Sequence, residues 1–369
     1  MTERARGRTV TRMPFDDPAA PSVCLVMLAK ERPDVVDRAL TSCLPLIDAA
    51  LVSVEPGDTL GSHVAAWCDA HGLPCRVVEW KRSASGGENR TRLFSEGAAW
   101  ADETGCGWLL NVDADDELRV REGWTWPALD SYDSHAFVVA DGASRYGVRR
   151  LFRATVGYSD GRPGVPWTWR YPLHEVAECA GARHGPILPG VAYVKHLDTT
   201  RPREHYARQA AMLRAWLAEN GPDPRMTYYL GQALTDAGEH AAAFDAYRDR
   251  AAMAEGWPDE RFVATLRMGH TAMLAGRDPV AHLLAAAALD PTRAEPLTLL
   301  AEWHMKQGAW ALAAMFARAA RDLFPPIGAM HVEQECYESR PREVLRIVAF
   351  QAALAAARGQ ARPVTQGDP

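Results

Sequence analysis

The sequence predicts an α/β domain followed by an all-helical domain. Short apolar segments alternate with helical patterns over the first third of the chain, and after Pro202 the strand-like segments stop and alanine-rich helical patterns take over. With 369 residues, 47% of them hydrophobic, the chain can build two cores. We expect these domains at 21–200 and 201–358, with disordered tails at 1–20 and 359–369.

Four short, apolar segments bounded by turn-forming residues are predicted as buried strands, at 22–28, 50–54, 75–80 and 108–112. Helical patterns lie between them, including 33–47 and 89–103. Strictly alternating strands and helices favour a mostly parallel sheet with right-handed crossovers. The turn after the first strand has no Gly-x-Gly-x-x-Gly pattern, which disfavours a dinucleotide-binding domain.

The pattern changes between residues 132 and 196. Short strand-like segments at 136–140, 149–152, 175–178 and 191–196 are separated by loops rich in glycine and proline. We interpret this region as an antiparallel addition to the sheet.

The alanine-rich half shows an approximate repeat. Gly231, Gly269 and Ala301 lie 38 and 32 residues apart, which brackets the tetratricopeptide period of about 34 residues. A small residue at each point lets two helices approach closely. Stacked helix pairs are therefore favoured over an irregular bundle.

The composition and net charge limit which partners and which cellular compartment we expect. A net charge of -6 and an acidic pI give no general attraction to nucleic acid, so only a local basic patch would bind it. The seven cysteines are scattered without a Cys-x-x-Cys pair, which predicts reduced, buried side chains. Since no apolar run is long enough to cross a membrane or to act as a signal peptide, we expect a cytoplasmic protein.

The most distinctive segment is 108–117, where an apolar strand ends in four carboxylates: Asp113, Asp115, Asp116 and Glu117. Asp side chains two apart on an extended backbone point the same way. Oxygen ligands of this kind hold Mg²⁺ or Mn²⁺, which take further ligands from substrate phosphates. The alternative is an acidic turn that only closes a strand and caps a helix.

Other polar residues follow the first strands of the predicted sheet, where open α/β sheets bind ligands. Glu31 follows the first strand, and Glu55 and Asp58 follow the second. Asn89 and Arg90 open the third helical pattern, and an Arg fork suits a diphosphate. Each of these residues could equally be an ordinary surface acid or cap.

Taken together, these segments resemble the GT-A glycosyltransferases of the inverting family-two type, specifically the bacterial subgroup with a tetratricopeptide-like C-terminal region. The resemblance rests on segments in the same order along the chain: 29–31, 45–48, 55–59, Asn89, Trp108 with 113–117, 150–153, 174–175 and 194–196. Several positions depart from the family pattern. In the metal motif Asp116 takes the place of Glu, which is displaced to Glu117. Glu55 stands where the family has Asp, and Glu88 stands where it has Arg.

The resemblance implies a GT-A nucleotide-sugar-binding domain, a Rossmann-like mixed sheet, followed by an all-α tetratricopeptide-like domain. It implies Mn²⁺ or Mg²⁺ as cofactor, with Asp113, Asp115 and His196 as ligands. Glu175 is the implied catalytic base, with Asp116 as the second candidate. The implied donor-binding residues are Lys30, Glu31, Glu55, Asp58, Asn89, Arg90, Asp113 and His174.

The expected activity is transfer of a sugar from a nucleotide diphosphate donor, a UDP-sugar, with inversion at the anomeric carbon. The acceptor is left open among a peptide, a natural product, a glycan and a modified DNA base. The helical repeats would present the acceptor or form a homodimer surface. Two alternatives stay open: a nucleotidyltransferase, and a non-catalytic repeat scaffold with a degenerate glycosyltransferase domain.

Four tryptophans fall in predicted loops of the first domain: Trp124, Trp126, Trp167 and Trp169. Exposed indoles would stack on sugar faces or on a partner, whereas packing under a loop is the competing interpretation.

Overall fold

The computed structural model describes residues 20–30, 32–129, 131–141, 144–156, 164–194, 201–326 and 329–360. The chain divides into two compact units between residues 200 and 201. Apart from residue 20 and residues 359–360, the predicted tails lie outside the described residues, as do Glu31 and His196.

The first unit is built on an eight-stranded mixed sheet. In spatial order its strands are β3 (Cys75–Glu79), β2 (Ala49–Val54), β1 (Val23–Leu28), β4 (Trp108–Asn111), β7 (Ser144–Arg153), β6 (Ser134–Asp141), β10 (His184–Val194) and β5 (Glu117–Val120). The first four are mutually parallel, and β7 is antiparallel to β4. A separate two-stranded hairpin consists of β8 (Thr168–Arg170) and β9 (Val176–Glu178).

The four parallel strands lie where the sequence predicts them, and β7 pairs antiparallel with both β4 and β6, as predicted. The predicted antiparallel addition is wrong for one pair, because β10 runs parallel to β6. The predicted number and bounds of the later strands are partly wrong. β5 was not predicted, Glu175 lies just before β9, and β10 begins at His184 rather than at 191. Glycine and proline interrupt the β10 sequence, and its pairing with β6 is irregular, which explains why its first half resembles a loop.

Helices cover both faces of the sheet. They are α1 (Pro33–Cys43), which continues into a 3₁₀ turn, α2 (Leu60–Ala70) and α3 (Gly86–Thr104). Ser85 caps the start of α3 by accepting a hydrogen bond from the Glu88 amide, and Gly105 ends it with a φ of 75°. One core lies between the sheet and α1 and α2, and a second lies under α3.

The described part of the second unit contains helices and no strand. Its helices are α4 (Arg203–Asn220), α5 (Pro224–Asp236), α6 (His240–Ala252), α7 (Pro258–Leu274), α8 (Val280–Leu289), α9 (Glu295–Lys306), α10 (Trp310–Arg321) and α11 (Arg340–Gln360). Residues 359 and 360 are therefore helical, which corrects the predicted start of the C-terminal tail. No helix of the described chain is long and apolar enough to span a membrane.

Each helix of the second unit packs on the next, and α5 with α7 and α7 with α9 also touch. Two of the small residues singled out in the sequence lie at close helix contacts. A Cβ added to Gly231 would lie 2.6 Å from Tyr247 Cε1, and one added to Gly269 would lie 2.5 Å from Leu283 Cδ2. Glycine at these two positions therefore sets how closely neighbouring helices approach.

Candidate active site

The four-carboxylate segment forms a tight turn at the carboxyl end of β4. The amide of Asp116 donates a hydrogen bond to the Asp113 carbonyl at 3.0 Å, and β5 follows directly at Glu117. We call residues 113–116 the acidic turn. Asp113 and Asp115 are half-buried and Asp116 is buried. The turn therefore follows a parallel strand, at the end of the sheet where ligands of this fold class bind.

The carboxylate of Asp113 is surrounded by donors. Its Oδ1 accepts a hydrogen bond from Arg90 Nη2 at 2.6 Å, and its Oδ2 accepts from Arg150 Nη2 at 3.0 Å and from the Tyr193 hydroxyl at 3.1 Å. Burial alone would raise the pKa of Asp113, but the Arg90 and Arg150 guanidiniums outweigh it and hold that pKa below its ordinary value. Asp113 is therefore a half-buried carboxylate that stays ionised.

Arg90, in the first turns of α3, links this carboxylate to a second one. Besides its bond to Asp113, it donates to the amide oxygen of Asn111 at 3.1 Å, and its Nε lies 3.6 Å from Glu175 Oε2. Burial would lower the pKa of Arg90, but the nearby carboxylates of Asp113 and Glu175 raise it. One guanidinium therefore holds together residues from three separate parts of the chain.

Glu175 sits on the loop between β8 and β9, which packs on the start of α3. The amide of Gly86 donates to the Pro172 carbonyl at 2.8 Å, and the amide of Gly87 donates to the Tyr171 carbonyl at 3.0 Å. A Cβ on Gly86 would overlap the Glu175 carboxylate, and one on Gly87 would lie 2.5 Å from the Tyr171 oxygen. Two glycines are needed here because backbone and carboxylate approach so closely.

The same loop has an unusual backbone. Tyr171 and His174 have φ angles of 79° and 52°, in the left-handed region that favours glycine. The side chain of His174, predicted to bind the donor, is exposed. Strain of this kind persists only where the surrounding contacts fix it, and here the contacts with α3 do so.

Asp116, the second candidate for the base, lies in a different environment. Burial raises the pKa of Asp116, and the Tyr193 hydroxyl partly offsets that rise. Asp116 is therefore a buried carboxyl group beside the Tyr193 hydroxyl. Both candidate bases therefore lie next to the Asp113 network, one through Arg90 and the other through Tyr193.

The donor-binding residues predicted after β1 and β2 lie at the carboxyl ends of those strands. Lys30 is exposed, and Glu55 Oε1 lies 3.9 Å from Arg82 Nε. The carboxylate of Asp58 accepts a hydrogen bond from the Leu60 amide at 2.9 Å and so caps α2. Asp58 thus has a structural role whether or not it also contacts a donor.

The amide group of Asn89 holds the loop before α3. Its oxygen accepts from the Ser83 amide at 2.9 Å, and its nitrogen donates to the carbonyls of Ser83 and Ser85. Asn89 is 9% exposed. Its observed partners are therefore the backbone that positions the start of α3.

Asp115 differs from Asp113 in its surroundings. Its backbone carbonyl accepts from Arg38 Nη2 at 3.0 Å, while its carboxylate makes no hydrogen bond within the part of the chain that the structure describes. Among the described residues no group of three or more His, Cys, Asp or Glu side chains could hold a metal. Within the described residues the acidic turn therefore offers a cation no more than one or two carboxylates.

Two residues of this network were not predicted as site residues. Arg150 belongs to the 150–153 segment of the resemblance, which was the only sequence signal for it. Tyr193 lies in an apolar strand and looks like a core residue until its hydroxyl is placed. Arg150 comes from β7 and Tyr193 from β10, and both strands are far from the acidic turn in sequence.

Two of the four tryptophans are buried, and the other two, Trp126 and Trp169, are partly buried against the two cores. Trp124 and Trp167 are 5% and 1% exposed, and their indole nitrogens donate to the carbonyls of Pro189 and Arg153. The interpretation of these two as exposed stacking platforms is therefore wrong, because both pack beneath loops with their polar atoms satisfied.

No family model matches this chain, and no curated protein matches it. Among solved structures, TarS 1–349 of S. aureus is similar over 78% of this chain and 92% of its own, with 11% sequence identity and a TM-score of 0.29. That similarity is too low to define a family.

Proposed function

We propose that the first unit is an inverting glycosyltransferase that moves a sugar from a nucleoside diphosphate donor, a UDP-sugar, to an acceptor. The main support is the position of Arg90, which joins Asp113 of the acidic turn to Glu175 of the β8–β9 loop. Asp113 and Glu175 belong to two separate segments of the family resemblance, and Arg90 directly follows Asn89, which belongs to a third. Their convergence at the carboxyl end of β4 favours a common site over three unrelated surface positions.

Glu175 is the proposed base that takes the proton from the acceptor nucleophile, and Asp116 is the alternative. Asp115 would hold Mn²⁺ or Mg²⁺, with His196 as a second predicted ligand. Asp113, the third ligand that the resemblance implies, is already paired with Arg90 and Arg150. When bound, the cation would stabilise charge on the departing diphosphate. Lys30, Glu31, Glu55, Asp58, Asn89 and His174 are proposed to line the donor site.

The helical unit is proposed to be a tetratricopeptide-like array that presents the acceptor or binds a second copy. Contacts between alternate helices, α5 with α7 and α7 with α9, favour a stack of helix pairs. The close approaches at Gly231 and Gly269 favour it too.

A thermal-shift screen of nucleotide sugars, with and without Mn²⁺, tests this function, because a ligand that binds only the native state raises its melting temperature. UDP-sugars should raise the melting temperature only when Mn²⁺ is present. Stabilisation by nucleoside triphosphates, followed by pyrophosphate release, would indicate a nucleotidyltransferase. No stabilisation by any nucleotide would favour a non-catalytic scaffold.

A further inference from the structure

We propose that Arg150 and Tyr193 are positioning residues of the acidic turn. They fix Asp113 as an anchor, so that Asp115 is the carboxylate of the turn that faces the cation. This inference rests on the proposed function, because it assigns roles within the same site.

The first argument is the charge around Asp113. Two guanidinium nitrogens lie 2.6 and 3.0 Å from its two carboxylate oxygens. A divalent cation at the same carboxylate would stand close to two fixed positive charges, and the repulsion is strong because Arg90 and Arg150 are largely buried. Asp113 is therefore a poor ligand for a cation and a good partner for the two arginines.

The second argument is the geometry of Tyr193. Its hydroxyl accepts a hydrogen bond from the Asp113 amide at 3.2 Å and donates one to the Asp113 carboxylate at 3.1 Å. The residue is fully buried, and the Arg150 guanidinium lies 4.1 Å from its ring centroid. Tyr193 therefore fixes both the backbone and the side chain at the first position of the turn.

The third argument is the contrast with Asp115. This residue lies two positions further along, is half-buried, and its carboxylate makes no hydrogen bond within the described chain. If Asp113 is held by β7 and β10, the direction in which Asp115 points is held as well. Removing a hydrogen bond to Asp113 should therefore weaken cation binding at Asp115, although no cation ligand is removed.

The test is Tyr193→Phe, which removes one hydroxyl and keeps the buried ring. Mn²⁺ binding in the presence of UDP is measured by isothermal titration and by electron paramagnetic resonance of free Mn²⁺. We expect Mn²⁺ affinity to fall by about 10-fold, the lower end of the effect of losing a partner bonded directly to a metal ligand, because Tyr193 acts on Asp115 only through Asp113. The matched control is Tyr228→Phe. Tyr228 is a buried tyrosine of α5 whose hydroxyl has no hydrogen-bond partner among the described residues, and this variant should bind Mn²⁺ as the wild type does.

A second comparison separates an anchor from a ligand. Asp113→Asn leaves two buried guanidiniums facing a neutral amide, whereas Asp113→Asn with Arg150→Met leaves only Arg90, which still has Glu175 as a partner. If Asp113 is an anchor, the double variant should recover part of the Mn²⁺ affinity and of the melting temperature that Asp113→Asn alone loses. If Asp113 is instead a cation ligand, the double variant should recover no Mn²⁺ affinity.

The outcomes distinguish this inference from the proposed function. If the wild type binds Mn²⁺ with UDP, and Tyr193→Phe binds it equally well while the double variant recovers nothing, the inference is overturned and the proposed function stands. If the wild type binds neither UDP nor Mn²⁺, both are overturned.

Discussion

Arg90 and Asp113 form an ion pair at 2.6 Å that joins the start of α3 to the turn after β4. The pair connects two segments that the sequence separates by a whole helix. Because Arg90 also approaches Glu175, a change at any of these three residues should affect the other two.

Asp115→Asn should abolish sugar transfer with little loss of stability, because it removes the charge of the proposed cation ligand at constant volume. We expect turnover to fall by about a thousandfold or more, since the cation is expected to stabilise several kcal/mol of transition-state charge. UDP affinity in Mn²⁺ should fall with it. The control is Asp102→Asn, an exposed carboxylate on α3, which should change neither quantity. Wild-type turnover by Asp115→Asn in chelator-treated buffer would rule out this role.

Glu175→Gln should leave UDP binding nearly intact and lower turnover by about 10² to 10⁴, the usual contribution of a general base. Steady-state kinetics and isothermal titration of UDP on the same preparation measure the two effects separately. The comparison variant is Asp116→Asn. If Asp116→Asn gives this pattern and Glu175→Gln does not, the base is Asp116.

Gly87→Ala should destabilise the first unit and reduce transfer. The added methyl group would lie 2.5 Å from the Tyr171 carbonyl and 2.6 Å from the Trp169 carbonyl, and backbone cannot move aside cheaply. Overpacking of this kind costs about 1–3 kcal/mol. Gly107→Ala is the matched control, because a Cβ there meets nothing within 4 Å. Equal melting temperatures for the two variants would contradict the close packing of the β8–β9 loop on α3.

Gly269→Ala should destabilise the helical unit by a similar amount, about 1–3 kcal/mol, because the new methyl group meets the Leu283 side chain. Introducing it into a Leu283→Ala background should cost clearly less, since the clashing atoms are gone. Urea unfolding of the wild type, the two single variants and the double variant gives the coupling free energy between the two substitutions. Additive effects of the two substitutions would show that α7 and α8 do not approach as described.

Much of the first unit's architecture could be predicted, because buried parallel strands produce continuous apolar segments with clear turn signals. The helices between them have an apolar face and recognisable starts, such as Pro33 in α1. β10 could not be predicted in full, because its glycines and prolines are typical of loops. Tertiary pairing with β5 and β6 keeps this segment extended despite its composition.

The candidate site was only partly predictable for a different reason. Asp113, Asp115 and Asp116 are adjacent in sequence, so their clustering follows from one turn. Arg150 and Tyr193 reach that turn from β7 and β10, and nothing local in their segments indicates a polar partner. The environment of a buried tyrosine or arginine depends on strand order, which a single sequence does not reveal.

The release of nucleoside diphosphate from a nucleotide sugar tests the central claim most directly. The full-length protein is incubated with a panel of UDP-sugars and Mn²⁺, and UDP and pyrophosphate are quantified by chromatography, with Asp115→Asn and Asp102→Asn in parallel. The account predicts UDP release by the wild type and by Asp102→Asn, slow where only water accepts the sugar, and none above background by Asp115→Asn. Pyrophosphate in place of UDP, or equal UDP release by all three proteins, would contradict it.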